Sequence, residues 1–179
     1  MSNVRIEENV IVGKGGGHEL KVDIFWPANR SGPVPGLLFL PGGGWQSANR
    51  GPLKERYGIR IAKRGYVCIA GEYRVMDEAP WPAQVQDVKA IIRWMRANSK
   101  NLGIDSSRIV IGGKSAGGHL ALLAAGTRGV TEFEGNGGSG TVSSDVAAVV
   151  GVAPVSDMAE IARRPSTAPL FGNPLQQRL

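Results

Sequence analysis

Gly113-Lys114-Ser115-Ala116-Gly117 stands between the apolar run Ile109-Val110-Ile111-Gly112 and the run Gly118-His119-Leu120-Ala121-Leu122-Leu123-Ala124-Ala125. The order is strand, G-x-S-x-G, helix. A strand that turns at once into a helix pushes the middle residue out on a strained corner. Glycines flank that residue because a side chain there would meet the neighbouring strand and helix. The corner residue is a serine, so the stretch predicts a nucleophile elbow with Ser115 as the catalytic nucleophile. Ala116 follows it directly, and its N–H is expected to donate to a developing oxyanion.

A second stretch supports this. Leu37-Leu38-Phe39-Leu40 runs into Pro41-Gly42-Gly43-Gly44-Trp45, a glycine-rich loop after another apolar strand. Acyl transfer needs backbone N–H groups aimed at the oxyanion, and glycines let the backbone approach closely. Trp45 is a candidate wall of the substrate pocket or a packing residue under the loop. A serine nucleophile also needs a base, and the base needs an orienting acid. In the elbow architecture the chain order is Ser, then Asp or Glu, then His. Only His119 follows Ser115 before the chain stops at Leu179. It lies four residues past the serine, inside the helix that runs away beneath the sheet, so it is not expected to be the base. The 179 residues are therefore expected to be the N-terminal portion of a longer enzyme.

The rest of the chain alternates strands and helices. Val4–Val12 and Leu20–Trp26 alternate around Lys14-Gly15-Gly16-Gly17 and predict an antiparallel hairpin. Gly36–Leu40, Tyr66–Ala70 and Val146–Gly151 are short apolar runs that suit strands buried on both faces. Pro52–Arg64 reads as a helix. After Ala79-Pro80-Trp81-Pro82, Val85, Val88, Ile91, Ile92 and Met95 form one helical stripe, with Lys89, Arg93, Arg96 and Lys100 expected on the solvated side. Asp105-Ser106-Ser107 is a turn into the elbow strand, and Gly135–Gly140 is the most flexible connection. The pattern predicts an α/β fold: a mostly parallel sheet with helices on both faces and an antiparallel hairpin at its edge.

Composition excludes several classes. At 179 residues, with 42% hydrophobic and 20% charged residues, the chain is globular in character. No apolar stretch approaches a membrane span, and Met1–Glu8 has no signal-peptide core. The single cysteine, Cys68, makes a reducing, cytoplasmic compartment the expectation. The net charge of +6 is carried largely by helix faces without interleaved aromatics, so nucleic acid is not expected as a partner. No His/Cys/Asp cluster suggests a metal, and Gly13–Gly17 lacks the Walker lysine spacing, so no cofactor is expected. His18 falls at the hairpin. Asp145 begins its strand at the wrong end. Asp157, just after a strand, lies at the edge where such sheets bind ligands.

Taken together, these residues resemble the α/β-hydrolase superfamily. The likeness is to its branch of small esterases with an H-G-G-G-W loop: hormone-sensitive-lipase-like esterases, the acetyl-xylan and feruloyl esterase group, and kynurenine formamidases. The resemblance rests on Pro41–Trp45, Gly71-Glu72-Tyr73-Arg74, Pro82 with Asp87, Trp94, Ile104-Asp105 with Arg108-Ile109, and Gly113–Ala121, in the family's order from about Gly17 to Asp157. It implies an α/β-hydrolase fold whose C-terminal strands are missing. Residues 1–179 would then be a partial domain, the nucleophile and oxyanion-hole half. It also implies that Gly43 and Gly44 join Ala116 in the oxyanion hole, and that Asp157 is structural. Pro41 stands where the family has histidine, and the fixed φ of proline is expected to hold the loop instead. Leu170-Phe171-Gly172-Asn173-Pro174 resembles the segment upstream of the strand that carries the acid. The implied activity is a serine hydrolase of carboxylesterase type, acting on short-chain acyl esters or, as a variant, N-formyl amides. The chain alone would be weak or inactive and prone to self-association. The alternative is a non-catalytic binding module or an inactive truncated fragment.

Overall fold

The structure is a computed structural model and describes residues 4–171. Gly172, Asn173 and Pro174 of the tail lie outside the described residues. The chain opens with a hairpin, β1 (Arg5–Gly15) and β2 (His18–Trp26), then β3 (Val34–Leu40). A π-helical turn, Lys54–Gly58, runs into α1 (Ile59–Ala62), followed by β4 (Val67–Gly71) and α2 (Ala83–Ala97). Next come α3 (Ser99–Leu102), β5 (Ile104–Lys114), α4 (Ala116–Gly126) and α5 (Thr131–Glu134). The chain continues through β6 (Ala148–Val152), α6 (Met158–Ala162) and a 3-10 stretch, Pro165–Phe171.

The strands form one sheet in the order β1-β2-β4-β3-β5-β6. β1, β2 and β4 pair antiparallel, and β4, β3, β5 and β6 pair parallel. The period of two along each strand divides the core. Leu38, Leu40, Val67 and Ile69 pack with α2 and α4 residues such as Ile91 and Leu120. Their neighbours Phe39, Cys68 and Ala70 point to the other face, against Leu53 and Ala62 at α1. Helices therefore cover both faces. Val85, Val88, Ile91, Ile92 and Met95 of α2 are fully buried, each worth about 1.5–3 kcal/mol relative to exposure.

Three local expectations are corrected. The helix expected over Pro52–Arg64 is shorter and starts as a π-helical turn at Lys54; within that turn Gly58 packs against the ring of Phe25, where a Cβ would lie 2.7 Å from ring atoms. The turn expected at Asp105–Ser107 falls inside β5 as a register irregularity between Val34↔Ile104 and Gly36↔Ile109. Asp105 accepts from Ser107 N (2.9 Å), Ser107 Oγ (2.6 Å) and Arg108 Nε (2.7 Å) there. Lys89 and Arg93 are not on a solvated face. They are 0% and 2% exposed, because the segment from Thr127 to Ser144 folds over α2. Lys89 Nζ donates to Thr127 O (2.7 Å) and Glu134 Oε1 (2.8 Å), and Arg93 Nη1 to Glu134 Oε2 (2.7 Å). Burial works against the ionised Glu134 carboxylate. Hydrogen bonds from Lys89 and Ser144, with the charges of Lys89 and Arg93, outweigh it and hold its pKa below the ordinary value. The glycine-rich segment is part of this cover, with Gly137 and Gly138 against Ala90.

Candidate active site

The C-terminal ends of β3 and β5, adjacent and parallel, bring the two glycine motifs together. β5 ends at Lys114 and α4 begins at Ala116, so Ser115 is the whole of the turn. It sits at φ 52, ψ −119, a region sparsely used by non-glycine residues and worth about 1–3 kcal/mol of strain. Its N–H donates to Val152 O (3.0 Å), and its carbonyl accepts from His119 N (2.9 Å). Both flanking glycines are required by contact. A Cβ at Gly113 would collide with the Gly117 carbonyl, and one at Gly117 with the Pro41 carbonyl oxygen.

The loop after β3 crosses the elbow closely. A Cβ at Gly42 would lie 3.1 Å from Lys114 O and 3.3 Å from Ser115 Cβ. Gly43 (φ 142), Gly44 (φ 59) and Trp45 (φ 59) then turn the chain. The Gly43 carbonyl accepts from Gln46 N (3.0 Å) and Ser47 N (3.2 Å). Among the described residues, the N–H groups of Gly43, Gly44 and Ala116 have no protein acceptor. Ser115 shares a cavity of about 490 Å³ with Gly42, Gly43, Gly44, Leu53, Arg56, Tyr57 and Lys114.

Tyr73, which the sequence offers only as part of a family-like segment with no role, holds the loop. Its hydroxyl donates to Pro41 O (3.0 Å), it is 2% exposed, and burial pushes its pKa upward. Pro41 is thus fixed through its carbonyl. The available signal was Gly71-Glu72-Tyr73-Arg74 at the end of the strand beside β3. Arg74 anchors that segment to α2: its Nε donates to Asp87 Oδ2 (2.8 Å), its Nη2 to Oδ1 (2.8 Å) and its N–H to Oδ2 (2.9 Å). Asp87, 1% exposed, is a clamp.

The other candidates lie apart from Ser115. Trp45 is 2% exposed and sits beneath the loop, edge-on to His119 with ring centroids 5.4 Å apart; it does not line the serine cavity. Its carbonyl accepts from Met76 N (2.8 Å). His119 is 9% exposed, lies 6.2 Å from the Trp81 ring, and burial lowers its pKa from 6.5. Trp45 Nε1 and His119 Nδ1 are buried without a hydrogen-bond partner among the described residues. His18 lines a separate cavity of about 630 Å³ with Asp23, Arg50 and Glu72. Asp157 is exposed and caps α6, accepting from Glu160 N (2.9 Å). Asp145 pairs with Arg128. Among the described residues no group of three or more His, Cys, Asp or Glu could hold a metal, and no helix is long and apolar enough to cross a membrane.

The chain is similar to known proteins in sequence and fold. The family model described as BD-FAE matches residues 22–177. Esterase LipC of Mycobacterium tuberculosis is 39% identical over 120 residues, which are 67% of this chain and 30% of LipC. A bifunctional GH43-CE protein of Bacteroides eggerthii superposes with a TM-score of 0.83 at 31% identity, covering 93% of this chain and 26% of that one. Esterase Est2 of Thermogutta terrifontis gives a TM-score of 0.70 at 33% identity, covering 85% of this chain and 53% of its own. The chain thus spans about a third or less of the first two relatives and about half of the third.

Proposed function

The chain belongs to the BD-FAE family and has the α/β-hydrolase fold of esterases, and from that premise we propose that it carries the nucleophile and oxyanion hole of a serine carboxylesterase. Ser115 Oγ attacks the ester carbonyl carbon. The oxyanion of the tetrahedral intermediate is held by the N–H groups of Ala116, Gly43 and Gly44. The carbon–oxygen bond to the alcohol then breaks, the alcohol leaves with a proton, and water hydrolyses the acyl-serine. Short-chain acyl esters are the proposed substrates. The observation that carries this is the Ser115 corner itself: a strained serine crossed by the Gly42 backbone, beside N–H groups without protein acceptors. Trp45 shapes the site from beneath, bracing the loop on His119.

The general base and its orienting acid are proposed to come from sequence outside these 179 residues. The chain has two histidines. His18 lines a different cavity, and the His119 ring is buried against Trp45. Residues 1–179 are then one part of a larger α/β-hydrolase domain. A cytoplasmic setting belongs to the same proposal, supported by a single cysteine, Cys68, whose burial pushes its thiol up to about 12 and leaves it unreactive.

Hydrolysis of p-nitrophenyl acetate tests the division of labour. The 179-residue chain should turn it over weakly, because the oxyanion hole acts without a base. A polypeptide extended to the length of its relatives should turn it over well. Robust turnover by the 179-residue chain, abolished by Ser115→Ala, would place the base within it.

A further inference from the structure

The cavity at Ser115 carries an unbalanced charge. Among the described residues, Arg56 and Lys114 both line it and no carboxylate does. Neither cation forms an ion pair among the described residues. At two other cavities the arginines are matched, Arg50 to Asp23 and Glu72 and Arg74 to Asp87, whereas Lys14 lines a cavity without an ion pair among the described residues. Beside Asn49, the wall has an apolar part made by Pro52, Leu53 and Tyr57. Leu53 is 6% exposed, and Tyr57 stacks on Phe39 with ring centroids 3.9 Å apart.

We propose that this cavity selects esters that carry a negative charge, a carboxylate joined to the scissile carbonyl through a short apolar chain, with Arg56 and Lys114 as the selecting residues. Two unpaired cations at a concave, partly apolar wall raise the local potential, and the low-dielectric wall concentrates it. A carboxylate on the substrate meets that potential directly. The methylenes between it and the ester lie along Leu53 and Tyr57. A neutral ester of the same shape gains the apolar wall alone. Lys114 immediately precedes the nucleophile, so its cation is tethered beside the elbow. The substrate class rests on the reading of Ser115 as the nucleophile; the charge preference of the cavity does not.

Equilibrium binding separates the two. Monomethyl glutarate and dimethyl glutarate are titrated into the Ser115→Ala chain, which cannot acylate, and binding is followed by amide NMR shifts. The wild-type chain, titrated over short times, guards against a folding defect in the variant. The monoanion should bind about three- to tenfold more tightly at low salt, the range that two exposed ion pairs supply. The preference should fall to about one at ~0.5 M salt. It should also vanish in the Arg56→Gln/Lys114→Gln double variant, whose changes are at exposed positions. Equal binding of the two esters, a preference untouched by the double variant, or binding of neither ester would overturn the proposal. A neutral fluorophosphonate tests Ser115 separately. Labelling of Ser115 without an anion preference removes this inference and keeps the nucleophile; an anion preference through Arg56 and Lys114 without labelling does the reverse.

Discussion

Ser115 holds a conformation that suits glycine, and this has a measurable cost. At φ 52, ψ −119 its Cβ is crowded by its own backbone. Ser115→Gly is expected to raise stability by about 0.5–1 kcal/mol, the strain relieved exceeding the entropy gained by the unfolded chain, while losing any reaction with acylating reagents. Denaturant midpoints check it; an unchanged or lower midpoint would mean the corner is not strained. His119 makes a second residue-scale prediction. Burial lowers its pKa below 6.5, so the unfolded chain binds the proton more readily. The stability contributed by its neutral form is fully present above pH 6.5 and is lost as pH falls from there through the depressed folded pKa. Unfolding midpoints between about pH 7 and 5 should fall, and His119→Phe should flatten that slope. A slope retained in the variant would assign it to other groups. Ser115 and Tyr73 mark what could be read in advance. Ser115 is legible because its strand, glycines and helix are contiguous. The Tyr73–Pro41 bond is not, because it joins the ends of two strands whose adjacency only the sheet order reveals.

Among the elements, β6 stands out by its exposure. It pairs only with β5 among the described strands, and Val150 is 49% exposed. An apolar edge strand without charge or proline is a template for another chain. The 179-residue chain is expected to self-associate in light scattering, and Val150→Lys to shift it toward monomer by charging the edge. A monodisperse wild-type monomer would contradict this. The expectation that Val146–Gly151 is buried on both faces is corrected: the strand spans Ala148–Val152, and all its residues are exposed or half-buried, because it pairs on one side only among the described strands. A similar correction applies to α2. Its stripe from Val85 to Met95 is legible from a period of 3.6, whereas the burial of Lys89 and Arg93 depends on Glu134, some forty residues away, which no local pattern exposes.

At the scale of the whole molecule, strands alternating with helices along the sequence were enough to specify a mostly parallel sheet with a leading hairpin, and the sheet order places both glycine motifs at one edge. The walls of the serine cavity were not legible. Arg56 and Tyr57 come from the π-helical turn and Leu53 from its N-cap, and Gly58 in that turn packs on Phe25, a long-range contact that no local pattern exposes. What the assembled edge amounts to chemically comes down to one atom, Ser115 Oγ. The direct measurement is incubation of the 179-residue chain with a fluorophosphonate, digestion, and location of the adduct by mass spectrometry. The expected result is a slowly formed adduct on Ser115 alone, absent from Ser115→Ala. An adduct on any other residue, or none on Ser115 after prolonged incubation, would contradict its role as the nucleophile.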